Sequence, residues 1–350
     1  MATADQLDHP DEPVAGPAAG EAGSASSHPL RGLALRILGS AAMLGLLVWK
    51  VPDFDTDELV PEWRASTPWW LLGAAALTLA AIVLSSMRWQ AVLTALGVRS
   101  HLGRLINHYL AGQFVSNVLP TTIGGDVLRV SRLSRDSGES PASFASVVLE
   151  RLTGWLILPV LTYVGFVVNP GLTHLGNATR VALALATATL LLLVAVLALV
   201  ASRRFGRQLD DRDGWRRFAG AVHLGVERLR RDPGAAANVL FVGLAYQLCL
   251  VVAALFAAKA VGMGVAVGPT ALLAFFPAVA IAQVLPLGIS GIGIREGAFA
   301  LFLAPLGVPT EQAIALGLLL YLLNLGVSLL GAPAFAFGGR SPAPATIAPA

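Results

Sequence analysis

The sequence predicts an all-α integral membrane protein, a polytopic bundle of about eight transmembrane helices with two elements broken by proline and glycine. The chain is 55% hydrophobic and only 13% charged, and its mean hydropathy is +0.71. Soluble domains carry about 25% charged residues, so this composition indicates a membrane protein. The apolar stretches are long and continuous, which excludes the alternating strands of a membrane β-barrel. A similar broken motif occurs in each half of the chain.

Segments of about 20 mainly apolar residues predict the individual membrane spans. They are 33–50, 69–87, 146–168, 180–201, 236–260, 270–286, 292–308 and 311–335. The tails 1–28 and 338–350 are rich in small residues and proline, and we expect them to be disordered. The remaining stretch, 29–337, is predicted to be a single polytopic domain.

The distribution of arginine predicts the orientation, because positively charged residues mark cytosolic loops. Arg31 and Arg36 place the N-terminus in the cytoplasm, and the arginine-rich loop 202–232 belongs on the same side. The acidic loop 53–62 fits the outer side. Eight spans would then leave both termini cytoplasmic, and we expect the protein in the cell (plasma) membrane.

The loop 202–232 contains a second pattern. Apolar side chains recur there at spacings of three and four residues, with arginines largely on the opposite side; the apolar positions are Trp215, Phe218, Val222, Val226 and Leu229. This pattern predicts an amphipathic helix at the surface of an anionic leaflet. The alternative is a plain determinant of topology without lipid specificity.

The apolar segment 103–120 does not fit a complete span. If it crossed the membrane, Arg129, Arg132 and Arg135 would face outward. Every later loop would then be inverted, and the arginine-rich loop 202–232 would also lie outside. We therefore predict that the segment 103–130 is re-entrant from the cytosol and turns back at Pro120, or that it lies in the interface.

The two broken elements share an order of residues. The first has Val-Leu-Pro at 118–120, then glycines, then an aspartate and an arginine; the second, at 284–297, has Val-Leu-Pro, glycines and an arginine beside a glutamate. Proline and glycine interrupt helices, and within a membrane such breaks need protein or a polar cavity around them. A matched pair, related as an inverted repeat, indicates a transporter binding site.

Ionisable residues near these breaks would cost about 2.5–3.5 kcal/mol each at membrane depth, so their presence indicates a functional or structural role. Arginine binds phosphate in a bidentate manner, and helix N-termini attract anions. The predicted substrate-binding residues are Asn117, Gly124, Gly125, Asp126, Arg129, Glu150, Arg151, Gly291, Gly293, Arg295 and Glu296. Arg129 and Arg295 would hold a phosphate, and the carboxylates would position them or meet a cationic headgroup. The alternative is that these charges only neutralise one another and lock two hairpins together.

Other functions have little support in the sequence. Neither lysine, Lys50 nor Lys259, follows a glycine, so no Walker loop for ATP is present. No His/Cys/carboxylate cluster has metal-ligand spacing, and Ser290 lacks a nucleophile-elbow pattern. We predict neither an enzyme, nor a cofactor, nor a nucleic-acid partner; an intramembrane transferase with Asp126 or Glu150 as base is the weakest alternative.

These motifs resemble a known family. The residues that carry the resemblance are Arg88-Trp89, Asn117, Leu119-Pro120, Gly124-Gly125-Asp126, Arg129 and Glu150-Arg151, then Pro286, Gly291, Gly293, Arg295-Glu296 and Gly307-Val308. Over roughly residues 35–335 the chain resembles the flippase-like family named for the transmembrane region of lysylphosphatidylglycerol synthase. Membrane regions fused to some archaeal dolichol-linked glycosyltransferases are similar. Tyr321 stands about where many members carry an arginine.

The resemblance implies an eight-span bundle that moves or presents a lipid between leaflets. No aminoacyl-transferase domain is expected in this chain, so lysine transfer is not implied. Our leading hypothesis is translocation or headgroup binding of an anionic phospholipid or polyprenyl-phosphate-linked lipid. The alternative is an accessory or scaffold subunit of a separate membrane-associated lipid-modifying or glycosyl transferase, and a small-molecule anion carrier also stays open.

Overall fold

The computed structural model describes residues 63–118, 124–202, 214–264, 267–284 and 291–338, and these residues form helices, short 3₁₀ turns and connections. The helices are α1 (Thr67–Ala95), α2 (Leu102–Val118), α3 (Gly124–Ser137), α4 (Ser140–Val168), α5 (Asn177–Val200), α6 (Trp215–Arg231), α7 (Pro233–Val261), α8 (Pro269–Ala282), α9 (Ile294–Leu303), α10 (Thr310–Leu329) and α11 (Gly331–Phe337). The first predicted span, 33–50, and both predicted tails lie outside the described residues, apart from Gly338.

Five of the predicted spans correspond to long apolar helices. They are α1, α4, α5, α7 and the stretch Thr310–Phe337, which comprises α10 and α11. Helices of 29 residues, such as α1 and α4, extend about 43 Å at about 1.5 Å per residue. That length exceeds the hydrocarbon core of about 30 Å. The described part of the chain is therefore that of a multi-pass helical membrane protein.

The predicted spans 270–286 and 292–308 are short helices instead. α8 has 14 residues and α9 has 10, which correspond to about 21 and 15 Å and do not cross a bilayer. Phe275 stacks on Phe302 with ring centroids 5.3 Å apart, and Gln283 packs against Gly291. Early residues of α8 thus meet late residues of α9. The two helices form an antiparallel hairpin, because the proline- and glycine-rich break separates one apolar run into two short halves.

α2 and α3 form the other hairpin, within the predicted re-entrant segment. Leu105 packs with Leu133 in one apolar cluster. Near the turn, a Cβ atom on Gly125 would lie 2.2 Å from the carbonyl oxygen of Gly112. Only glycine permits this contact between the helices. The hairpin therefore begins and ends at one end of the bundle.

The two hairpins approach opposite ends of α4. Ser140, at the start of α4, contacts Ser134 of α3, whereas Asn169, just after α4, donates a 3.0 Å hydrogen bond to Thr270 of α8. The helix ends next to the two breaks therefore lie towards the middle of α4, while the breaks themselves, 119–123 with Pro120 and 285–290, are outside the described residues. This arrangement is what an inverted repeat of re-entrant elements requires, although both features stay predictions.

The amphipathic pattern of the loop 202–232 forms helix α6. Its apolar side packs on the bundle: Phe218 meets Phe144 edge to face, with centroids 5.5 Å apart, and a Cβ atom on Gly225 would overlap Leu149. Trp215 is 70% exposed at the start of the helix. Packing against protein thus accounts for most of the apolar pattern that we attributed to a lipid surface.

Candidate functional site

A buried carboxylate joins three helices at the centre of the molecule. Glu150 on α4 is only 1% exposed. Its Oε1 atom accepts a hydrogen bond from Nη2 of Arg88 on α1. Its Oε2 atom accepts bonds of 3.3 and 3.2 Å from Nη1 and Nη2 of Arg129 on α3. A buried charge needs such partners, since an unpaired one costs several kcal/mol.

The network continues through Asp126. This carboxylate accepts a 3.3 Å hydrogen bond from Arg129, three residues along the same helix, and forms a 2.6 Å ion pair with Nε of Arg151 on α4. Asp126 and Arg129 therefore lie on one face of α3 and pair directly. The complete chain is Arg88–Glu150–Arg129–Asp126–Arg151, in which three guanidinium groups share two carboxylates.

Aromatic rings enclose Arg129. The carbon of its guanidinium lies 4.2 Å from the ring centre of Trp89 and 4.3 Å from that of Tyr109. Arginine stacks favourably on such rings, most strongly where water is excluded, and Arg129 is only 3% exposed. The side chain is thus held firmly between the helices of the first half.

Two glycines make room for Arg88. A Cβ atom on Gly154 would lie 2.5 Å from Nη1 of Arg88, and one on Gly243 would lie 3.2 Å from its Cδ atom. The ring of Tyr246 is 5.0 Å from the guanidinium. Gly154, Gly243 and Tyr246 were not predicted as site residues. Their only signal in the sequence is a small or polar residue within an otherwise apolar helix.

The second break places its charged pair differently. The backbone N–H of Gly293 donates a 2.6 Å hydrogen bond to Oε2 of Glu296, so this carboxylate caps its own helix, α9. Gly293 has a φ of 88°, which favours glycine. Arg295 is 6% exposed, and its guanidinium lies 5.5 Å from the ring centre of Tyr321 on α10. Its Nε atom is 3.9 Å from Oε1 of Glu296.

A cavity of about 410 Å³ lies between the two halves. Its charged lining residues are Arg88, Glu150 and Arg151 from the first half and Arg295 from the second. Its uncharged polar lining residues are Thr78, Tyr109, Gln113, Tyr246, Gln247, Gln283 and Asn324. This volume lies within the range of about 300–1,000 Å³ that is usual for ligand pockets. Arginines outnumber carboxylates on its wall.

The predicted site residues fall into three groups. Glu150, Arg151 and Arg295 line the cavity. Three further charged residues lie next to the cavity-lining residues without belonging to the lining, and each contacts one of them: Asp126, Arg129 and Glu296. The remaining five, Asn117, Gly124, Gly125, Gly291 and Gly293, lie at the ends of the hairpin helices, outside the lining that the structure describes. Sequence reasoning missed Gln247 and Asn324, which are isolated amides within largely apolar stretches of α7 and α10.

These features define a polytopic helical membrane protein with an arginine-lined cavity between two broken elements. The chain belongs to the family described as the lysylphosphatidylglycerol synthase transmembrane region, whose model matches residues 34–331. Among curated proteins it is similar to "Glycosyltransferase AglD" of Haloferax volcanii, with 26% identity over 86% of this chain. The match covers 52% of that protein, so the chain spans about half the length of this curated relative. No solved structure matches the chain.

Proposed function

We propose that the protein binds the headgroup of an anionic lipid in this cavity and carries it between the leaflets. The observation that supports this most strongly is that arginines from both halves, Arg88, Arg151 and Arg295, line one cavity. The single carboxylate on the described wall, Glu150, is already engaged by two arginines. A phosphate would bring the negative charge that this wall lacks.

The arrangement of the hairpins supports transport rather than binding alone. One hairpin contacts the start of α4 and the other its end, so a headgroup at the middle of α4 is separated from each side by a different hairpin. Small movements of either hairpin would open the cavity to one side at a time, as in transporters with inverted repeats. Without an ATP motif, movement would follow the lipid gradient, an ion gradient or the activity of a partner.

The first experiment is exchange of a fluorescent anionic phospholipid in proteoliposomes. We expect Arg295→Gln and Arg151→Gln to abolish exchange, because each removes a positive charge from the cavity wall, while the protein stays monodisperse. Arg230→Gln is the matched control, since Arg230 is exposed on α6. Exchange at the wild-type rate in both cavity variants would exclude the proposed site.

A second candidate function is that of an accessory subunit for a membrane-associated transferase. The match to a protein named as a glycosyltransferase, of which this chain spans about half, favours it. We expect a transferase to co-purify in stoichiometric amounts from cells with native expression, and to lose activity when this chain is deleted. Recovery of the chain without a partner would contradict this candidate.

We also propose that the protein lies in the cell membrane with both termini cytoplasmic. The arginine-rich helix α6 supports this orientation, since Arg216, Arg217 and Arg230 are exposed on it. Reporters fused after Ala350 would test it. A reporter that works only in the cytoplasm should be active in this fusion, and a reporter that works only outside the cytoplasm should be inactive.

A further inference from the structure

The cavity is unusually rich in uncharged hydrogen-bonding groups. Four carboxamides line it, from Gln113, Gln247, Gln283 and Asn324. Three of them lie in helices that are otherwise largely apolar or at their ends, where a polar side chain needs a partner. Three of the four have a protein partner: Gln113 donates to Asn324, and Nε2 of Gln283 donates a 3.3 Å hydrogen bond to the carbonyl oxygen of Val279. A phosphate would not use the hydrogen-bonding groups that remain, because its contacts are best made by the arginines. The carboxamides therefore need a separate explanation.

Gln247 on α7 is the most informative of these residues. It is only 6% exposed, lines the cavity, and has no side-chain hydrogen bond to any residue that the structure describes. Buried amides normally have hydrogen-bond partners. The unpaired carboxamide of Gln247 indicates that a ligand or water supplies the partner from the cavity.

The pair Gln113 and Asn324 offers a second set of groups. Nε2 of Gln113 donates a 3.0 Å hydrogen bond to Oδ1 of Asn324, joining α2 to α10 across the cavity wall. This bond leaves the carbonyl oxygen of Gln113 as an acceptor and the amide nitrogen of Asn324 as a donor. A hydroxyl group both donates and accepts, so it can use either position.

The charges on the wall disfavour a cationic headgroup. Such a group is held most strongly by a carboxylate. Among the described lining residues the carboxylate is Glu150, whose oxygens are engaged by Arg88 and Arg129. An ammonium group would meet arginines without gaining a counter-charge.

We propose that the cavity selects lipids whose phosphate is esterified to a neutral polyhydroxy group. This inference rests on the proposed function and narrows its substrate class. The phosphate contacts the arginines, and the hydroxyl groups satisfy Gln247 and the Gln113–Asn324 pair. Two sources share this chemistry: phospholipids with a glycerol or inositol headgroup, and polyprenyl-phosphate sugars.

Native mass spectrometry of the full-length protein with added lipids would test the selectivity. The probes are phosphatidylinositol, a polyprenyl-phosphate hexose, phosphatidylmethanol and lysyl-phosphatidylglycerol. Phosphatidylmethanol carries the same single phosphate charge as phosphatidylinositol but no hydroxyl groups. We expect at least one polyhydroxy lipid to bind about three- to tenfold more tightly than phosphatidylmethanol for each hydrogen bond gained. The tighter of the two polyhydroxy probes identifies the source.

Variants separate the hydroxyl contacts from the phosphate contacts. Gln247→Leu should lower the preference for the polyhydroxy lipid by about three- to tenfold, whereas Arg295→Gln should weaken binding of every anionic probe. Gln312→Leu is the matched control, because Gln312 is half-buried on α10 and does not line the cavity. This control should keep the wild-type preference.

The possible failures are distinguishable. Equal binding of phosphatidylmethanol and both polyhydroxy lipids, or tightest binding of lysyl-phosphatidylglycerol, would overturn the selectivity and leave the proposed function intact. An unchanged preference in Gln247→Leu would also overturn it. Failure of the wild-type protein to bind any anionic probe above phosphatidylcholine would overturn the proposed function and this inference together.

Discussion

The two hairpins contain similar motifs but hold their arginines in different ways. Arg129 of the first hairpin is enclosed by two carboxylates and two aromatic rings, whereas Arg295 of the second lines the cavity and contacts the ring of Tyr321. The first arginine thus anchors helices to one another. The second belongs to the cavity wall, where we propose that it contacts the ligand.

The spacing of the charged residues explains this difference. Asp126 and Arg129 are three residues apart in α3, so they lie on one helical face and pair directly. Arg295 and Glu296 are adjacent, so their side chains point about 100° apart around α9. Glu296 can therefore cap the helix while Arg295 faces the cavity. The carboxylate stands three residues before the arginine in the first motif and one residue after it in the second, and this placement separates an internal ion pair from an arginine on the cavity wall.

The largest effect should come from removing the carboxylate shared by the first group of arginines. We expect Glu150→Gln to lower the stability by about 3–5 kcal/mol, since it leaves Arg88 and Arg129 buried with too little negative charge. Glu296→Gln should cost clearly less, because glutamine can still accept the cap hydrogen bond from Gly293. Thermal unfolding in detergent measures both. Equal losses would show that the two hairpins do not differ as we describe.

Replacing Arg295 or Arg129 by glutamine should have different effects on stability and on lipid binding. Arg295→Gln should weaken anionic lipid binding by about 10- to 150-fold, which corresponds to a charge-assisted hydrogen bond of about 1.5–3 kcal/mol, with a small change in melting temperature. Arg129→Gln should show the reverse, since Arg129 is held by Glu150, Trp89 and Tyr109 and does not line the cavity. Lipid binding and thermal unfolding of both variants provide the comparison. The opposite pattern would assign the ligand to the first hairpin.

The close contact within the first hairpin is the next test. Gly125→Ala should cost about 1–3 kcal/mol, because its methyl group would meet Gly112 and Ser116. The control is Gly326→Ala on α10, where no atom lies within 4 Å of the added methyl group. That control should be neutral or slightly stabilising. If Gly125→Ala is as stable as the wild type, α2 and α3 can move apart at this contact without a loss of stability.

The sequence predicted the long helices well, because apolar length locates α1, α4, α5 and α7. The arginine positions favour a return of segment 103–130 to its starting side, and its re-entrant placement in the membrane stays a prediction. The same rule misjudged 270–286 and 292–308, because α8 is as apolar as the long helices and α9 follows it after a short break, yet neither is long enough to cross a bilayer. Nor could periodicity distinguish packing of α6 on Leu149 from packing on lipid, since both surfaces are apolar.

The candidate site was only partly predictable. Arg295 is conspicuous beside a proline and glycine break, and Glu150 is conspicuous as a charge within the predicted span 146–168. Gln247 and Asn324 are not, because each is one of a few polar residues scattered along a long apolar helix, and the sequence does not reveal which side of the helix faces a cavity. Gln247 and Asn324 line the same cavity because α7 packs against α10, and no local sequence pattern predicts that packing.

The smallest expected effect is a pH dependence confined to the first hairpin. His108 on α2 contacts Asp136 on α3, with 2.9 Å between Nε2 and Oδ2. Burial lowers the pKa of His108, and the Asp136 carboxylate offsets this only in part, while Arg104 and Arg132 add to the lowering. The folded protein thus prefers the neutral imidazole. The second hairpin contains no histidine.

The sign of the effect follows from this lowered pKa. The unfolded chain binds the proton more readily than the folded protein, so stability is complete above the ordinary histidine pKa of about 6.5. It then declines as the pH falls below that value. We expect the melting temperature to fall between pH 7 and pH 5, and to fall less in His108→Phe. An unchanged slope in this variant would assign the pH dependence to other groups, and a rise towards low pH would mean that the ion pair with Asp136 outweighs burial.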